Sequence, residues 1–146
     1  AGPCYDETYT SDRLKEAVAD CDVVALCLPH TKETAGMIDA SVLAAMAPRT
    51  LLVNVGRGSS VDQEALIEAL NSGRLAGAAL DVMVPEPLPK DHPLWSAKNL
   101  LITPHVAGNM SLGWTCEFDA QLFCENIARY RAGEPLKNTI DRTRGY

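Results

Sequence analysis

The segment Thr50-Leu-Leu-Val-Asn-Val-Gly-Arg-Gly-Ser-Ser-Val-Asp62 decides how this 146-residue chain is read. Leu51, Leu52 and Val53 form a short apolar run of the kind a parallel sheet buries on both faces. The run breaks at Gly56 and Gly58, which flank Arg57, so backbone free to bend sharply surrounds a cation. Asp62 stands where it can cap a helix that follows at once. In an open α/β sheet, ligands bind beyond the carboxyl ends of the strands, and Arg57 falls at such an end. A guanidinium there can hold a carboxylate through two parallel hydrogen bonds. The same residue also reads as a surface charge in a tight turn, and this segment leaves both readings open.

The same grammar extends to both sides. Ser11 is expected to cap a short helix with Leu14, Ala17 and Val18 on its apolar side. Asp22-Val-Val-Ala-Leu-Cys-Leu28 is a buried strand stopped by Pro29. Asp39 caps the next helix, where Ile38 and Leu43 form a hydrophobic staple and Pro48 follows the end. The helix over Gln63 to Ser72 carries Ala65, Leu66, Ala69 and Leu70 on one face, with Val61 and Leu66 as a second staple and Gly73 at its end. Ala76 to Asp81 is a strand of small residues. A Pro-rich loop from Val84 to Pro93 and a strand at Leu100 to Ile102 come next. A long helix is expected over Ser111 to Ala132, turning Ala120, Phe123, Cys124, Ile127 and Ala128 inward, with Gly133 ending it. Strand alternating with helix predicts βαβ units, a parallel sheet and right-handed crossovers. The fold class is α/β, a Rossmann-type parallel sheet. The strand ends marked by Pro29, Arg57, Asp81 and His105 should lie along one edge of it.

Composition narrows the function classes. A net charge of −6 argues against nucleic acid or an anionic membrane surface as the main partner. No apolar run reaches membrane-spanning length, and no signal peptide is visible. Five cysteines (Cys4, Cys21, Cys27, Cys116 and Cys124) form no CxxC and read as small buried thiols of a reducing, cytoplasmic compartment. His30, His92 and His105 share no ligand spacing with acids or thiols, so no metal site is expected.

Three side chains fit one chemistry. His105 follows a strand directly, and Glu86 lies in the loop after another. A carboxylate bonded to one imidazole nitrogen fixes the tautomer and leaves the other nitrogen to give or take a proton. Arg57 can hold a carboxylate or polarise the carbonyl beside it. Together they suit a small 2-oxo or 2-hydroxy acid and a nicotinamide. Spacing alone leaves simpler roles open: His105 as a cap on the sheet edge, Glu86 as a solvated loop charge, Asp81 as a turn acid.

Several ordered segments carry a family likeness. Asp22-Val-Val-Ala-Leu-Cys-Leu-Pro29 with Thr31-Lys-Glu-Thr34, Val53-Asn-Val-Gly-Arg-Gly58, Gly77-Ala-Ala-Leu-Asp-Val82, Pro85-Glu-Pro-Leu88 and Ile102-Thr-Pro-His-Val-Ala-Gly108 together resemble the D-isomer-specific 2-hydroxyacid dehydrogenases. The likeness covers essentially the whole chain. It implies a catalytic set of Arg57 for the substrate carboxylate and carbonyl, Glu86 as the orienting acid and His105 as general acid and base. It implies cofactor contacts at Leu28 and Pro29 on the adenosine side. On the nicotinamide side they fall at Val55, Gly56, Arg57, Asp81 and the turn from His105 to Gly108, with Asp81 accepting from the carboxamide. The similar formate dehydrogenases carry Gln where this chain has Glu86, so a Glu–His pair favours hydroxy-acid chemistry. Trp114 reads as a core or dimer contact before a site residue.

The front of the chain departs from the pattern. A fold of this kind begins with strand, GxGxxG, helix, strand and a ribose-binding acid, and no glycine triplet precedes Asp22. Residues 1–133 therefore read as the second part of a dinucleotide-binding domain, and residues 134–146 as a tail that crosses to a substrate domain absent from this sequence. The resemblance implies hydride transfer between NAD, or equally NADP, and C2 of a D-2-hydroxy acid in a homodimer. The segment by itself is expected to bind cofactor weakly. The rival expectations are a dinucleotide-sensing, corepressor-like protein and an inactive fragment.

Overall fold

Strand β1 (Val23–Leu26), β2 (Leu51–Asn54), β3 (Gly77–Leu80) and β4 (Leu100–Ile102) pair in parallel in the order of the chain. The structure is a computed structural model and describes residues 4–108 and 113–143. It forms two compact units, Ala1–His105 and Val106–Tyr146. All four strands belong to the first.

Register sets the line on which the site is built. Leu26 stands beside Asn54, Asn54 beside Leu80 and Leu80 beside Ile102. The last residues of all four strands are therefore level, and the segments that leave them emerge side by side. The expected strand over Asp22 to Leu28 is shorter: its ladder ends at Leu26, and Leu28 and Pro29 already belong to the loop.

Helices α1 (Leu14–Val18), α2 (Ala40–Ala45) and α3 (Gln63–Asn71) contribute Val18, Val42, Leu43, Leu66 and Leu70 to one core with Val24, Leu26, Leu52, Ala78 and Leu80. Asp39 accepts from the Val42 N–H at 2.8 Å and Asp62 from the Ala65 N–H at 3.1 Å, so both caps form as the sequence predicts. Gly73 takes φ +74°, and the Arg74 N–H returns to the Ala69 carbonyl at 2.9 Å, closing α3 in a left-handed turn. Ile38 and Val61 join in a parallel bridge, which ties the entries of α2 and α3 together.

Three expectations change. The cysteines are not buried: Cys4, Cys27, Cys116 and Cys124 are exposed, and Cys21 is half-buried. Ser11 does not cap α1: it opens a 3-10 turn, Ser11–Arg13, and no side-chain cap forms. Leu51 to Val53 are not buried on both faces. Leu52 is fully buried while Val23, Leu51 and Leu101 are about half exposed or more. Sequential strands linked by right-handed crossovers put every connection on the same face. Leu94, in the 3-10 turn Pro93–Ser96 between β3 and β4, joins that face too.

The second unit carries α4 (Gly113–Ala132), ended by Gly133 at φ +71°. Within it, Asn126 makes two hydrogen bonds to the Lys137 backbone, and the Arg129 side chain donates to the Pro135 carbonyl. Residues 134–137 thus fold back on the helix. No described residue of α4 is buried, and Phe123 and Ile127, which the sequence puts on its apolar face, are exposed. Ser111 lies outside the described residues.

Candidate active site

Arg57 is held by the buried side chain of Asn54, the last residue of β2. Asn54 Oδ1 accepts from the Gly56 N–H at 3.0 Å, and its Nδ2 donates to the Arg57 carbonyl at 3.0 Å. Ser60 Oγ donates to the same carbonyl at 2.7 Å. An amide with a donor and an acceptor can bridge both sides of a tight turn, so Asn54 closes the loop on itself. The Arg57 guanidinium makes one bond, to the Gly56 carbonyl at 2.7 Å, and its other N–H groups meet no partner among the described residues.

Glycine at 56 and 58 serves close approach. A Cβ at 56 would stand 2.6 Å from the Leu28 oxygen, and a Cβ at 58 would stand 2.5 Å from Met83 Cα. The loop after β2 is thereby packed backbone to backbone between the loops after β1 and β3. Each of those has its own lock. Thr31 and Thr34 cap one another's backbone, and Thr34 Oγ1 donates to the Pro29 carbonyl. Gln63, at the start of α3, grips Val84 from both sides: Nε2 donates to its carbonyl at 2.6 Å and Oε1 accepts its N–H at 2.7 Å.

Glu86 and His105 meet. Glu86 Oε2 lies 2.8 Å from His105 Nδ1, and Glu86 Oε1 accepts the Met83 N–H at 2.8 Å. A carboxylate can only accept, so Nδ1 carries the proton and Nε2 is the nitrogen left for chemistry. The Met83 N–H first, and His105 second, hold the Glu86 carboxyl below its ordinary value, so it stays ionised. His105 adopts φ +55°, a left-handed turn uncommon for a side-chain-bearing residue. Its N–H returns to the Asp81 carbonyl at 2.9 Å and to the Thr103 carbonyl at 3.0 Å. This turn stops the extension of β4 and fixes the histidine over the strand ends.

One open groove of about 320 Å³ collects these groups: Arg57, Glu86 and His105 line it, together with His30, Ser59 and the Met83–Val84 backbone region. Glu86 and His105 also line a largely apolar cavity of about 630 Å³, together with Leu88, Trp95, Ile102 and Pro104. The structure therefore brings together the three residues singled out as catalytic. Asp81, buried at the end of β3, receives the Thr103 hydroxyl. Val55 exposes its side chain at the end of β2. An apolar surface beside a buried acceptor is the chemistry a carboxamide-bearing aromatic ring needs, so these residues fit a nicotinamide. Leu28 is half-buried against Gly56 and Pro29 is exposed. Gly108 belongs to the second unit. Among the described residues no cluster of His, Cys, Asp or Glu could hold a metal ion.

A family model for the D-isomer specific 2-hydroxyacid dehydrogenase, NAD binding domain, matches residues 3–107. The chain belongs to this family. Glyoxylate/hydroxypyruvate reductase A of Klebsiella pneumoniae subsp. pneumoniae is 41% identical over 134 residues, 91% of this chain and 41% of the relative. A D-isomer specific 2-hydroxyacid dehydrogenase of Xanthobacter autotrophicus Py2, solved with NADPH and MES, superposes with a TM-score of 0.82 at 42% identity over 92% of this chain and 54% of that one. The NADPH-dependent glyoxylate/hydroxypyruvate reductase of Sinorhizobium meliloti, solved with NADP and sulfate, gives 0.82 at 33% identity over 96% of this chain and 45% of that one. The chain thus spans about half the length of these relatives.

Sequence reasoning missed Asn54, Gln63, Ser59 and His30. Asn54 and Gln63 sat in plain view at a strand end and a helix start, but their partners lie on loops whose approach no spacing announces. His30 was weighed only as a metal ligand, although its place one residue after Pro29 was a signal that it stands at the sheet's carboxyl edge.

Proposed function

We propose that these residues form the nicotinamide-side part of the active site of an NAD(P)-dependent 2-hydroxyacid dehydrogenase, which interconverts a small 2-oxo acid and its D-2-hydroxy acid. The observation that carries this reading is the 2.8 Å Glu86–His105 pair in a groove that Arg57 also lines. Arg57, with N–H groups to spare, binds the substrate carboxylate and draws charge from the adjacent carbonyl. His105, its Nδ1 bonded to Glu86, presents Nε2 to the carbonyl oxygen. In reduction it gives that oxygen a proton as C2 gains a hydride; in oxidation it takes the proton back. Glu86 stays ionised and stabilises the imidazolium. When bound, the dinucleotide supplies or receives the hydride. Val55 and Asp81 hold its nicotinamide end, and Leu28 and Pro29 line the adenosine side.

The Klebsiella and Sinorhizobium relatives are named for glyoxylate and hydroxypyruvate, which favours short 2-oxo acids here. NAD and NADP present the same nicotinamide end to these residues, and both are carried in the proposal. A homodimer in the cytoplasm completes the proposal.

The test is oxidation of NADH and NADPH by a panel of 2-oxo acids, using the protein at its natural length. Loss of the general acid in His105→Ala should lower kcat by about 10²- to 10⁴-fold while cofactor binding persists. A protein that binds the dinucleotide and reduces none of the acids, or a His105→Ala variant that keeps its rate, overturns the reading and leaves dinucleotide sensing in its place.

A further inference from the structure

Thr103, the residue after β4, stands where the ends of β2, β3 and β4 are tied together. Its N–H donates to the Leu80 carbonyl at 3.0 Å, and its own carbonyl accepts the His105 N–H at 3.0 Å. The same His105 N–H reaches the Asp81 carbonyl at 2.9 Å, and the Asp81 N–H donates to the Asn54 carbonyl at 2.9 Å. This backbone junction aims the Thr103 side chain, whose hydroxyl donates to Asp81 Oδ1. A β-branched residue has few rotamers open to it, so the aim is firm. The bond joins the segment that carries the catalytic histidine to the acid read as a nicotinamide contact.

Asp81 needs a donor. Only 5% of it is exposed, and removal from water favours a neutral carboxyl. The ionised Glu86 pushes the same way, because charges of one sign oppose each other. A hydroxyl that donates to the carboxylate works against both. The outcome decides what Asp81 can do. As a carboxylate it can only accept; as a neutral acid it carries an O–H and can donate. The carboxamide of a nicotinamide ends in an amide nitrogen that has only hydrogens to give, so it calls for an acceptor. A hydroxyl fixed on Oδ1 also sets the plane of the carboxylate, and with it the direction from which a second donor arrives.

We infer that Thr103 is a positioning residue for the cofactor: its hydroxyl keeps Asp81 an oriented acceptor for the nicotinamide carboxamide. The inference rests on the dehydrogenase reading above, in which Asp81 holds that end of the dinucleotide. It adds the residue through which Asp81 is prepared.

The probes are the reduced dinucleotide and its 3-acetylpyridine analogue, in which a methyl replaces the amide nitrogen. NADH and NADPH are both titrated into the natural-length protein, and the tighter binder is carried on. Affinities are measured by calorimetry without any 2-oxo acid, so the readout is independent of turnover. A hydrogen bond to a charged acceptor predicts that the unsubstituted protein prefers the carboxamide form by about 10- to 100-fold. In Thr103→Val that preference should fall about 10-fold. Thr103→Ser keeps the hydroxyl and should keep the preference. Thr103→Cys, with a weak donor, should fall between them, and it decides the question if Thr103→Val does not fold. A preference unchanged in Thr103→Val and Thr103→Cys, with both forms weakened alike or not at all, overturns the inference and leaves Thr103 a purely structural residue. So does a loss of the same size when Thr103→Val is made in an Asp81→Asn background, which would mean that the hydroxyl meets the cofactor directly. If the unsubstituted protein binds the two forms equally, Asp81 does not hold the carboxamide and the inference falls, while turnover of a 2-oxo acid keeps the dehydrogenase reading standing. Binding of neither dinucleotide is the separate failure of that reading and takes the inference with it.

Discussion

Gly58→Ala tests whether close packing of loops, and not the catalytic side chains alone, sets the geometry of the site. The added Cβ would stand 2.5 Å from Met83 Cα. Carbon atoms rest at about 3.5–4.0 Å, so the two loops must part by about 1 Å. Both sides of the contact are backbone, and no flexible side chain can swing away. Overpacking of this kind costs about 1–3 kcal/mol of stability. The rate should suffer more. The Met83 N–H is the donor that holds Glu86 Oε1, so a shift of Met83 carries Glu86 away from His105, and a misplacement of about 1 Å can cost about 100-fold in rate. Urea unfolding reads the first effect as a lower midpoint at constant slope; kcat/KM with a 2-oxo acid reads the second. Gly73→Ala is the control. Its Cβ would meet open space, but φ is +74°, so it should lose about 1 kcal/mol through strain and keep its rate. A Gly58→Ala protein with an unchanged midpoint and a rate within about 2-fold of the original would refute the reasoning. A rate loss of equal size in Gly73→Ala would refute it as well.

Two further outcomes follow from the same contacts. Gln63→Leu removes both bonds to the Val84 backbone; because Val84 is exposed and water can replace them, stability should fall by only about 1 kcal/mol, while kcat falls further as the loop bearing Glu86 loosens. A variant that loses stability but no kcat would show that Gln63 does not position Glu86. The Glu86 carboxyl is held below the ordinary glutamate value by the Met83 N–H and then by His105. A depressed folded value means that its contribution to stability is present above the unfolded value, about 4.3, and is lost as pH falls through the lower folded value. Carbon-detected NMR titration of Glu86 should therefore give a midpoint below about 4.3, and a midpoint above it would contradict the hydrogen bonding described here.

Much of the fold was legible because it is written in neighbours. Asp39 and Asp62 cap the turns immediately after them, Gly73 supplies the positive φ that ends α3, and the apolar runs at Leu51–Val53 and Leu100–Ile102 need no distant information to be read as strands. Short-range physics fixed element type, order and the parallel sense of the sheet, and family likeness pointed to Arg57, Glu86 and His105 before any contact was known. Ser11 misled because a hydroxyl at a helix start competes with a 3-10 turn that needs no side-chain cap. Leu51 misled because an apolar run does not say which of its faces will be covered; that depends on the hand and direction of the crossovers, which place α2 and α3 on one side. The meeting of Glu86 with His105 across 19 residues, and of His30 with Ser59 across 29, was decided only by tertiary structure. Level strand ends bring those loops side by side, two glycines let their backbones touch, and the side chains that face each other across the resulting groove share no spacing along the chain.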